Sequence, residues 1–491
     1  MTATKLGIAS LALCLIAAPT LALALGPDYR RPDIPLTPAF HAAPAPAPAP
    51  APSATPAPIL DAWWDGFGDP ELSRVVARAE TQNLDIEQAR ARLAQSRAAA
   101  KAAGAALAPR IDGTGSAAMI QQSLDGPIGQ IGRHLPGFER NIDDFTLGLG
   151  ASWEIDLFGG LRRSREAARA DASAAAAQAV AIRTSIAADA ADAYLQIRGL
   201  QARIAVAQRQ AAVETDLVGL LQQRAGEGVT PDRELREGVA TLEGVRAAIP
   251  PLEAALEAAL NRLDVLMGAQ AGTYRAELEA PAATPAPPAL SPGDGPAELL
   301  RRRPDVLAAE QRLVGANARI GAALAEYYPK VSVTGLLGLD SINASQMFTG
   351  GAVAHQVAAG FSWRLFDFGR VDAEVAAARG RDAEALAAYR ATVYRATEEV
   401  EDAFTDLAQQ QARAAALQRQ IAALSIARGQ AEQAYEEGVI SLVELRDADR
   451  ELLTASDQLE QARASAARAA VAAFRALGGG WKPEATRLAA R

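Results

Sequence analysis

The sequence predicts an α+β membrane protein made from an internally duplicated chain, with four β-strands and two long, coiled α-helical hairpins. Three observations support this fold class. The two halves of the chain align at a nearly constant offset, four segments alternate between apolar and polar residues, and two long runs contain no proline. After the N-terminus no stretch is apolar enough for a membrane helix, so the strands are the candidate lipid-facing segments.

Composition excludes several classes of function. The 491 residues include 49 Lys and Arg against 58 Asp and Glu, a net charge of −9, whereas binding to a nucleic-acid backbone needs a basic face. The single cysteine excludes an internal disulfide and a thiolate metal cluster. His41, His134 and His355 lie far apart in sequence. We therefore predict no nucleic-acid partner, no cofactor, no metal site and no enzymatic activity.

The N-terminus has the features of an export signal. A positively charged start precedes an apolar run from Leu6 to Leu25, and Ala22-Leu23-Ala24 has the small-x-small pattern of a signal-peptidase site. We interpret residues 1–24 as a cleaved signal peptide, with a retained membrane anchor as the alternative. Because Cys14 follows the bulky Leu13, where a lipoprotein signal has a small residue, we predict no lipidation.

Residues 25–60 are rich in proline and alanine, with an alternating tract from Ala43 to Pro52. Alternating proline disfavours helices and sheet ladders and favours extended polyproline II. We predict an extended N-terminal segment that is either a linker or a strap along a surface.

The body of the chain is a tandem duplication. Asp85 corresponds to Asp305, an offset of 305 − 85 = 220, and Trp153 corresponds to Trp363, an offset of 363 − 153 = 210. An offset held over most of the chain is strong evidence for a repeat. The predicted parts are a first repeat over 61–270, a linker over 271–296, a second repeat over 297–480 and a tail over 481–491.

Each repeat contains a predicted β-hairpin, over 110–157 and 329–367. The second strand of each hairpin alternates between an apolar and a polar face, which is the period of a β-strand. The apolar side chains are Phe145, Leu147, Leu149, Ala151, Trp153, Ile155 and Leu157 in one copy, and Val353, Val357, Ala359, Phe361, Trp363 and Leu365 in the other. His355 interrupts the second apolar face, and we interpret it as an interfacial or strand-end residue.

Each repeat ends in a predicted helical hairpin, over 160–268 and 370–477. The first helix of each would be roughly 65 residues, a rod of about 100 Å. Glycines predict the end of each rod, and Thr230 and Ser441 are predicted N-caps of the returning helices. A heptad stripe in the second rod predicts a coiled-coil seam with a packing role only. It consists of Leu386, Tyr389, Val393, Ala396, Val400, Ala403 and Leu407.

Four strands cannot close a membrane barrel, since the smallest barrels need about eight. Open strand edges are not tolerated in lipid, so several copies must complete the ring. Two, three or four chains would all satisfy this condition. Together with the export signal, the apolar strands indicate an outer membrane, with the helices forming a hollow sleeve in the periplasm. A barrel continued by a sleeve is a conduit.

Several short motifs are weak singly but highly specific in this order and spacing. They are GPDYRRP at 26–32, W-x-x-F-x-D-P-x-L at 64–72, RRPDVLAAEQRL at 302–313 and YEEGV at 435–439. With these motifs the chain resembles the TolC family of outer-membrane efflux proteins, in particular its OprM-like, NodT-type branch. The resemblance covers about Gly26 to Trp481.

This resemblance implies a homotrimer, with a twelve-stranded β-barrel continued by a periplasmic α-helical barrel. It also implies a tripartite pump that exports drugs or small toxic compounds, with a periplasmic membrane-fusion adaptor and an inner-membrane RND-type transporter as partners. In one respect the chain departs from the branch. Its members often carry a lipidated cysteine three residues before the GPDY segment, where this chain has Leu23. We therefore expect anchoring in outer-membrane lipid through the barrel alone.

The resemblance places a periplasmic gate at the turn of the second helical hairpin, formed by Tyr435, Val443, Glu444 and Asp447. In a trimer each carboxylate becomes a ring of three, which repels like charge and attracts cations near the axis. Val443 would add an apolar ring that resists wetting. The alternative is that Glu444 and Asp447 lie on an ordinary solvated helix face.

The hairpin ends are the predicted contact sites for the adaptor, through Gly228, Val229, Gly438 and Val439. Glycine at a helix end exposes the backbone and lets a partner approach closely. The alternative is that these glycines only form the turns.

Two other functions compete with the efflux channel. One is the outer-membrane conduit of a type I protein secretion system, and the other is a periplasmic coiled-coil adaptor or structural protein. The second would explain the helices but not the four alternating strands. With only four methionines in the chain, no methionine ladder supports specificity for copper or silver.

Overall fold

A computed structural model describes residues 24–42, 60–229, 231–290 and 295–482. The predicted signal peptide up to Leu23, the Ala-Pro tract, Thr230 and most of the predicted C-terminal tail therefore lie outside the described residues. Within the described residues, no helix is long and apolar enough to cross a membrane.

The chain divides into two compact units. The sheet unit consists of the described residues up to Pro32 together with Gln95–Ala172 and Gln311–Ala387. The helical unit consists of the described residues within 33–94, 173–310 and 388–491.

Most of the described residues are helical. A 3₁₀ segment at Leu60–Phe67 precedes the first α-helix. In chain order the α-helices are α1 (Pro70–Gln82), α2 (Leu84–Ala105), α3 (Pro127–Gly132), α4 (Gly160–Gly226), α5 (Asp232–Ala247), α6 (Ile249–Leu266), α7 (Arg275–Leu278), α8 (Pro296–Arg302), α9 (Pro304–Ala325), α10 (Arg370–Glu436) and α11 (Leu442–Ala476).

The sheet unit holds one antiparallel sheet in the order β1-β2-β3-β4. The strands are β1 (Arg110–Gln121), β2 (Asn141–Ile155), β3 (Lys330–Ser341) and β4 (Val353–Ser362). Helix α3 lies in the connection between β1 and β2, and two short 3₁₀ turns lie between β3 and β4. Each β-hairpin is thus followed by a helix of 67 residues, α4 or α10.

The predicted duplication is confirmed in the element bounds. Helix α9 begins and ends 220 residues after α2 (304 − 84 and 325 − 105), and α10 begins and ends 210 residues after α4 (370 − 160 and 436 − 226). Side-chain contacts repeat as well. The indole Nε1 of Trp153 donates to the carbonyl oxygen of Leu107 at 3.0 Å, and that of Trp363 donates to Tyr327 at 2.9 Å.

The second strand of each hairpin ends earlier than its sequence pattern predicts. β2 ends at Ile155 rather than Leu157, and β4 ends at Ser362, before Trp363 and Leu365. β4 stops there because its partner β3 begins at Lys330, the residue opposite Ser362. His355 lies near the start of β4, opposite Leu337.

The heptad stripe of α10 is largely buried, as its period predicts. Tyr389, Val393, Ala396, Val400 and Leu407 are all buried. Leu386 and Ala403 are only partly buried. In the helical unit Phe40 packs edge-on against Phe404, next to this stripe, with ring centroids 5.6 Å apart.

The two returning helices differ from each other. In the second hairpin α11 is continuous, and Ser441 is its N-cap, with Oγ accepting from the backbone N–H of Glu444 at 3.4 Å. In the first hairpin the return is broken at Ala248 into α5 and α6. Pro250 and Pro251 follow the break and have no backbone N–H to continue the first helix. The residue before α5 is Pro231, which makes no side-chain cap hydrogen bond, and Thr230, the predicted cap, lies outside the described residues.

Candidate functional site

The turns of the two helical hairpins share one backbone geometry. We call residues 227–229 the first hairpin turn and residues 437–439 the second hairpin turn. Gly228 has a φ of +73° and Gly438 a φ of +74°. A Cβ at either position would meet nothing within 4 Å. The left-handed backbone, rather than crowding, therefore favours glycine at both turns.

Both turns close with the hydrogen bonds of a helix C-cap. The backbone N–H of Val229 donates to the carbonyl oxygen of Arg224 at 2.9 Å, and that of Val439 donates to Ala434 at 2.8 Å. These bonds satisfy carbonyls that the helix end would otherwise leave unpaired. The side chains of Val229 and Val439 are 67% and 73% exposed. The chain thus presents an apolar side chain beside an open glycine at each turn.

The four predicted gate residues lie around the second hairpin turn. Tyr435 is in the last turn of α10, and Val443, Glu444 and Asp447 are in the first two turns of α11. Val443 and Asp447 are four residues apart and therefore share a helix face. Val443 and Glu444 are exposed. Asp447 is half exposed and pairs with Arg450 at 2.8 Å.

Tyr435 is tied to the other hairpin. Its hydroxyl accepts a hydrogen bond from the guanidinium of Arg224 at 3.1 Å, and Arg224 lies near the end of α4. The side chain is half-buried. The predicted gate tyrosine is therefore part of a contact between the two hairpins of one chain.

An ion pair that sequence reasoning missed also joins the two hairpins. Arg446 on α11 lies 3.1 Å from Glu214 on α4, and their side chains are only 15% and 5% exposed. The two residues are 232 positions apart, so no local spacing rule relates them. The sequence offers one signal, at Glu214, which lies between the apolar residues Ala211 and Val218 on one helix face.

A second ion pair joins the two helices of the second hairpin. The guanidinium of Arg428 lies 2.8 Å from Asp449 and 2.6 Å from Glu432. The hydrogen bond from Arg428 to Asp449 raises the pKa of Arg428, so this cation stays charged at any physiological pH. α10 and α11 are thus held together just behind the predicted gate.

The proposed gate region presents charged and apolar side chains close together. Among the described residues no group of His, Cys, Asp and Glu could hold a metal ion. Val443 and the carboxylate of Glu444 are exposed, and that of Asp447 is half exposed, on one short stretch of helix. Such side chains can form charged and apolar rings when copies assemble around an axis.

Comparison with known proteins agrees with both repeats. A family model described as outer membrane efflux protein matches residues 75–269 and 295–479. The chain is 30% identical over 422 residues to the pyoverdine export outer membrane protein OpmQ of Pseudomonas putida, covering 86% of this chain and 88% of that protein. It is 30% identical over 487 residues to the outer membrane protein OprJ of Pseudomonas aeruginosa, covering 95% of each.

A solved structure extends the agreement to three dimensions. The outer-membrane channel OprN superposes with a TM-score of 0.81 at 34% sequence identity. The match covers 93% of this chain and 99% of that one. Sheet, helical hairpins and connections therefore follow a known channel fold through nearly their whole length.

Proposed function

The chain belongs to the outer membrane efflux protein family, and from this premise we propose how it assembles, what it passes and where it closes. It is an outer-membrane efflux channel with a periplasmic helical domain. The observation that carries this function is the family match in both repeats together with the four-stranded sheet that the fold requires.

We propose a homotrimer that works with a periplasmic membrane-fusion adaptor and an inner-membrane RND-type transporter. Three chains would supply twelve strands, which is enough to close a barrel around a lumen. The supporting observation is that β1 and β4 pair on one side only within the described residues. Unpaired strand edges in lipid leave backbone polar groups unsatisfied, so other copies must pair with them.

The proposed substrates are drugs or small toxic compounds. OpmQ is named for pyoverdine export, so a related channel passes a small organic molecule. The direct test is deletion of the gene followed by survival on a broad set of toxic compounds. Sensitivity to small compounds, restored by the intact gene, supports the proposal. Loss of an exported protein with unchanged sensitivity would instead indicate a type I secretion conduit.

The proposed periplasmic gate consists of Tyr435, Val443, Glu444 and Asp447. Near a threefold axis, three Asp447 carboxylates would form a cation-attracting ring that narrows the pore. We expect Asp447→Ala to increase single-channel conductance several-fold in planar bilayers. The matched control is Glu237→Ala, because Glu237 occupies the same position in the first repeat (237 + 210 = 447). Equal conductance of the Asp447 variant and the wild type would remove Asp447 from the gate.

The proposed adaptor contacts are Gly228, Val229, Gly438 and Val439 at the two hairpin turns. An exposed valine beside an open glycine lets a partner's apolar tip approach the backbone. A photoreactive residue at Val229 or Val439 should crosslink the adaptor in cells. Ile426, which is 66% exposed on α10 away from the turn, serves as the control position. Crosslinking at Ile426 alone would contradict contact at the turns.

A further inference from the structure

The sheet has two edges that the described residues leave unpaired. β1 pairs only with β2, and β4 pairs only with β3. If the chain is the proposed trimer, β4 of one copy must pair with β1 of the next copy. This inference rests on that proposed assembly, and its subject is the register of the new pair.

Within one chain, the strands of the two repeats pair in the same register, residue for residue. In the first repeat Arg110 lies opposite Ser152. Adding the offsets gives 110 + 220 = 330 and 152 + 210 = 362, and Lys330 does lie opposite Ser362. The β1–β2 pairing is therefore reproduced by β3–β4 without any slip.

The same offsets can be applied to the pairing that joins the two repeats. Trp153 of β2 lies opposite Val333 of β3. In a ring, the repeat that follows β4 is the first repeat of the partner subunit. The residue that corresponds to Trp153 is therefore 153 + 210 = 363, and the residue that corresponds to Val333 is 333 − 220 = 113 of the partner subunit. We infer that β4 and β1 of neighbouring copies pair antiparallel in the register that sets Trp363 opposite Gly113 of the partner subunit.

Unpaired residues at the end of β4 support this register. β2 extends beyond its pairing with β1 because its last three residues, 153–155, pair with β3. Their counterparts 363–365 have no such second strand within the described chain, and β4 stops at Ser362. Trp363 and Leu365 are 51% and 64% exposed. In the inferred register residues 111–113 of the partner subunit pair with 363–365 and complete the strand.

Charge also favours this register. It sets Arg364, which lies 3.0 Å from Glu326 in its own chain, opposite Asp112 of the partner subunit, which lies 2.9 Å from its own Arg110. Opposite charges directly across two strands add a favourable contact to these pairs. A slip of two residues in one direction sets Arg364 opposite Arg110 of the partner subunit, which places like charges directly across the strands. The opposite slip sets Arg364 opposite Thr114 of the partner subunit and forms no ion pair.

Side-chain volume gives a third argument. The inferred register sets Phe361 opposite Gly115 of the partner subunit and Trp363 opposite Gly113 of the partner subunit. A large ring then covers the surface of a glycine on the same face, an arrangement that stabilises glycine-containing strands. A slip of one residue would instead turn the apolar face of β4 toward the polar face of the partner.

Paired cysteines test the register. In a Cys14→Ser background, one variant carries Ala359→Cys with Ala117→Cys, and a second carries Ala358→Cys with Ala118→Cys. Adjacent pairs in an antiparallel ladder alternate between hydrogen-bonded and non-hydrogen-bonded sites. One of the two variants therefore has the shorter Cα–Cα distance between its cysteines. Within one copy β1 and β4 are three strand spacings apart, about 14 Å, which is too far for a disulfide. Mild oxidation should therefore give covalent dimers and trimers.

Slipped pairs are the controls. Ala359→Cys combined with Gly115→Cys, or with Met119→Cys, should crosslink at least tenfold more slowly than the better matched pair. A trimer, verified by native mass, in which a slipped pair reacts faster would overturn the register and leave the channel function intact. A chain that remains monomeric in outer-membrane extracts would overturn the trimer, and the register with it.

Charge exchange provides an independent measurement. Arg364→Asp should lower the temperature at which the trimer dissociates in detergent. Adding Asp112→Arg should restore part of the loss, because the pair of Arg364 with Glu326 in its own chain, at 3.0 Å, is not restored. Recovery in the double variant excludes simple misfolding as the cause of the single-variant effect. Failure of the exchange to recover any of the loss would contradict the pairing of Arg364 with Asp112 of the partner subunit.

Discussion

The two helical hairpins of the chain share a backbone and differ in their side chains. Both turns contain a left-handed glycine at equivalent positions, Gly228 and Gly438. The residues at the first turn that correspond to Tyr435 and Val443 are Ala225 and Arg233 (225 + 210 and 233 + 210). Duplication has thus kept the turn geometry, while the aromatic and the apolar residue of the proposed gate occur in the second copy alone.

The returning helices of the two hairpins also differ from each other. The second is continuous from Leu442 to Ala476 and has a side-chain N-cap, whereas the first is interrupted at Ala248 and has none. Contacts from α4 reach across to the second hairpin through Glu214 and Arg224. These differences favour the proposal that the second hairpin carries the gate and that the first hairpin supports it.

The largest expected effect is loss of the ion pair between the hairpins. Arg446→Ala would leave the buried carboxylate of Glu214 without its cation, which costs roughly 3–5 kcal/mol. Hydrogen exchange at amides 208–220 and 442–452 should become faster, by a factor set by the lost free energy of local unfolding. The double variant Glu214→Gln with Arg446→Met should recover much of the protection. Unchanged exchange in Arg446→Ala would show that the two hairpins are not coupled through this pair.

A smaller effect should be the same in both hairpins. Gly228→Ala and Gly438→Ala each place a Cβ on a left-handed backbone, at a cost of about 1 kcal/mol. Local exchange at residues 224–229 and 434–439 would measure the two costs separately. The φ values of the two glycines differ by one degree, so the two substitutions should raise the local exchange rates by similar factors. Factors that differ by more than twofold would contradict equal turn geometry.

The smallest expected effect is a difference between the two returning helices in the stability of their first turns. Ser441→Ala removes a side-chain cap with a long hydrogen bond of 3.4 Å and should destabilise the start of α11 by about 0.5 kcal/mol. Pro231→Ala removes no capping hydrogen bond at the start of α5, so exchange in that helix should change less. Helical chemical shifts or exchange in the first turn of each helix report the difference. Equal losses in both helices would argue that Ser441 is not an effective cap.

Local sequence patterns predicted the long elements well. The proline-free runs and their terminal glycines predicted a first helix of roughly 65 residues in each hairpin, and α4 and α10 each have 67 residues. The break in the first return was not predicted, although Pro250 and Pro251 are visible in the sequence and proline cannot donate a backbone hydrogen bond.

Long-range features were not predictable in this way. Glu214 and Arg446 meet only because two hairpins pack together, and no periodicity within either helix relates them. The end of β4 depends on which strand lies beside it, so an alternating pattern that continues to Leu365 overestimates the strand in a single copy. The gate and adaptor residues stay predictions, because their role depends on other chains.

Two similar halves of the chain each supply two wall strands, and we propose that sister copies complete the ring. Native mass spectrometry of the protein extracted from outer membranes in mild detergent tests this assembly directly. We expect one species with three times the mass of the processed chain. A single monomeric species under the same conditions would contradict it.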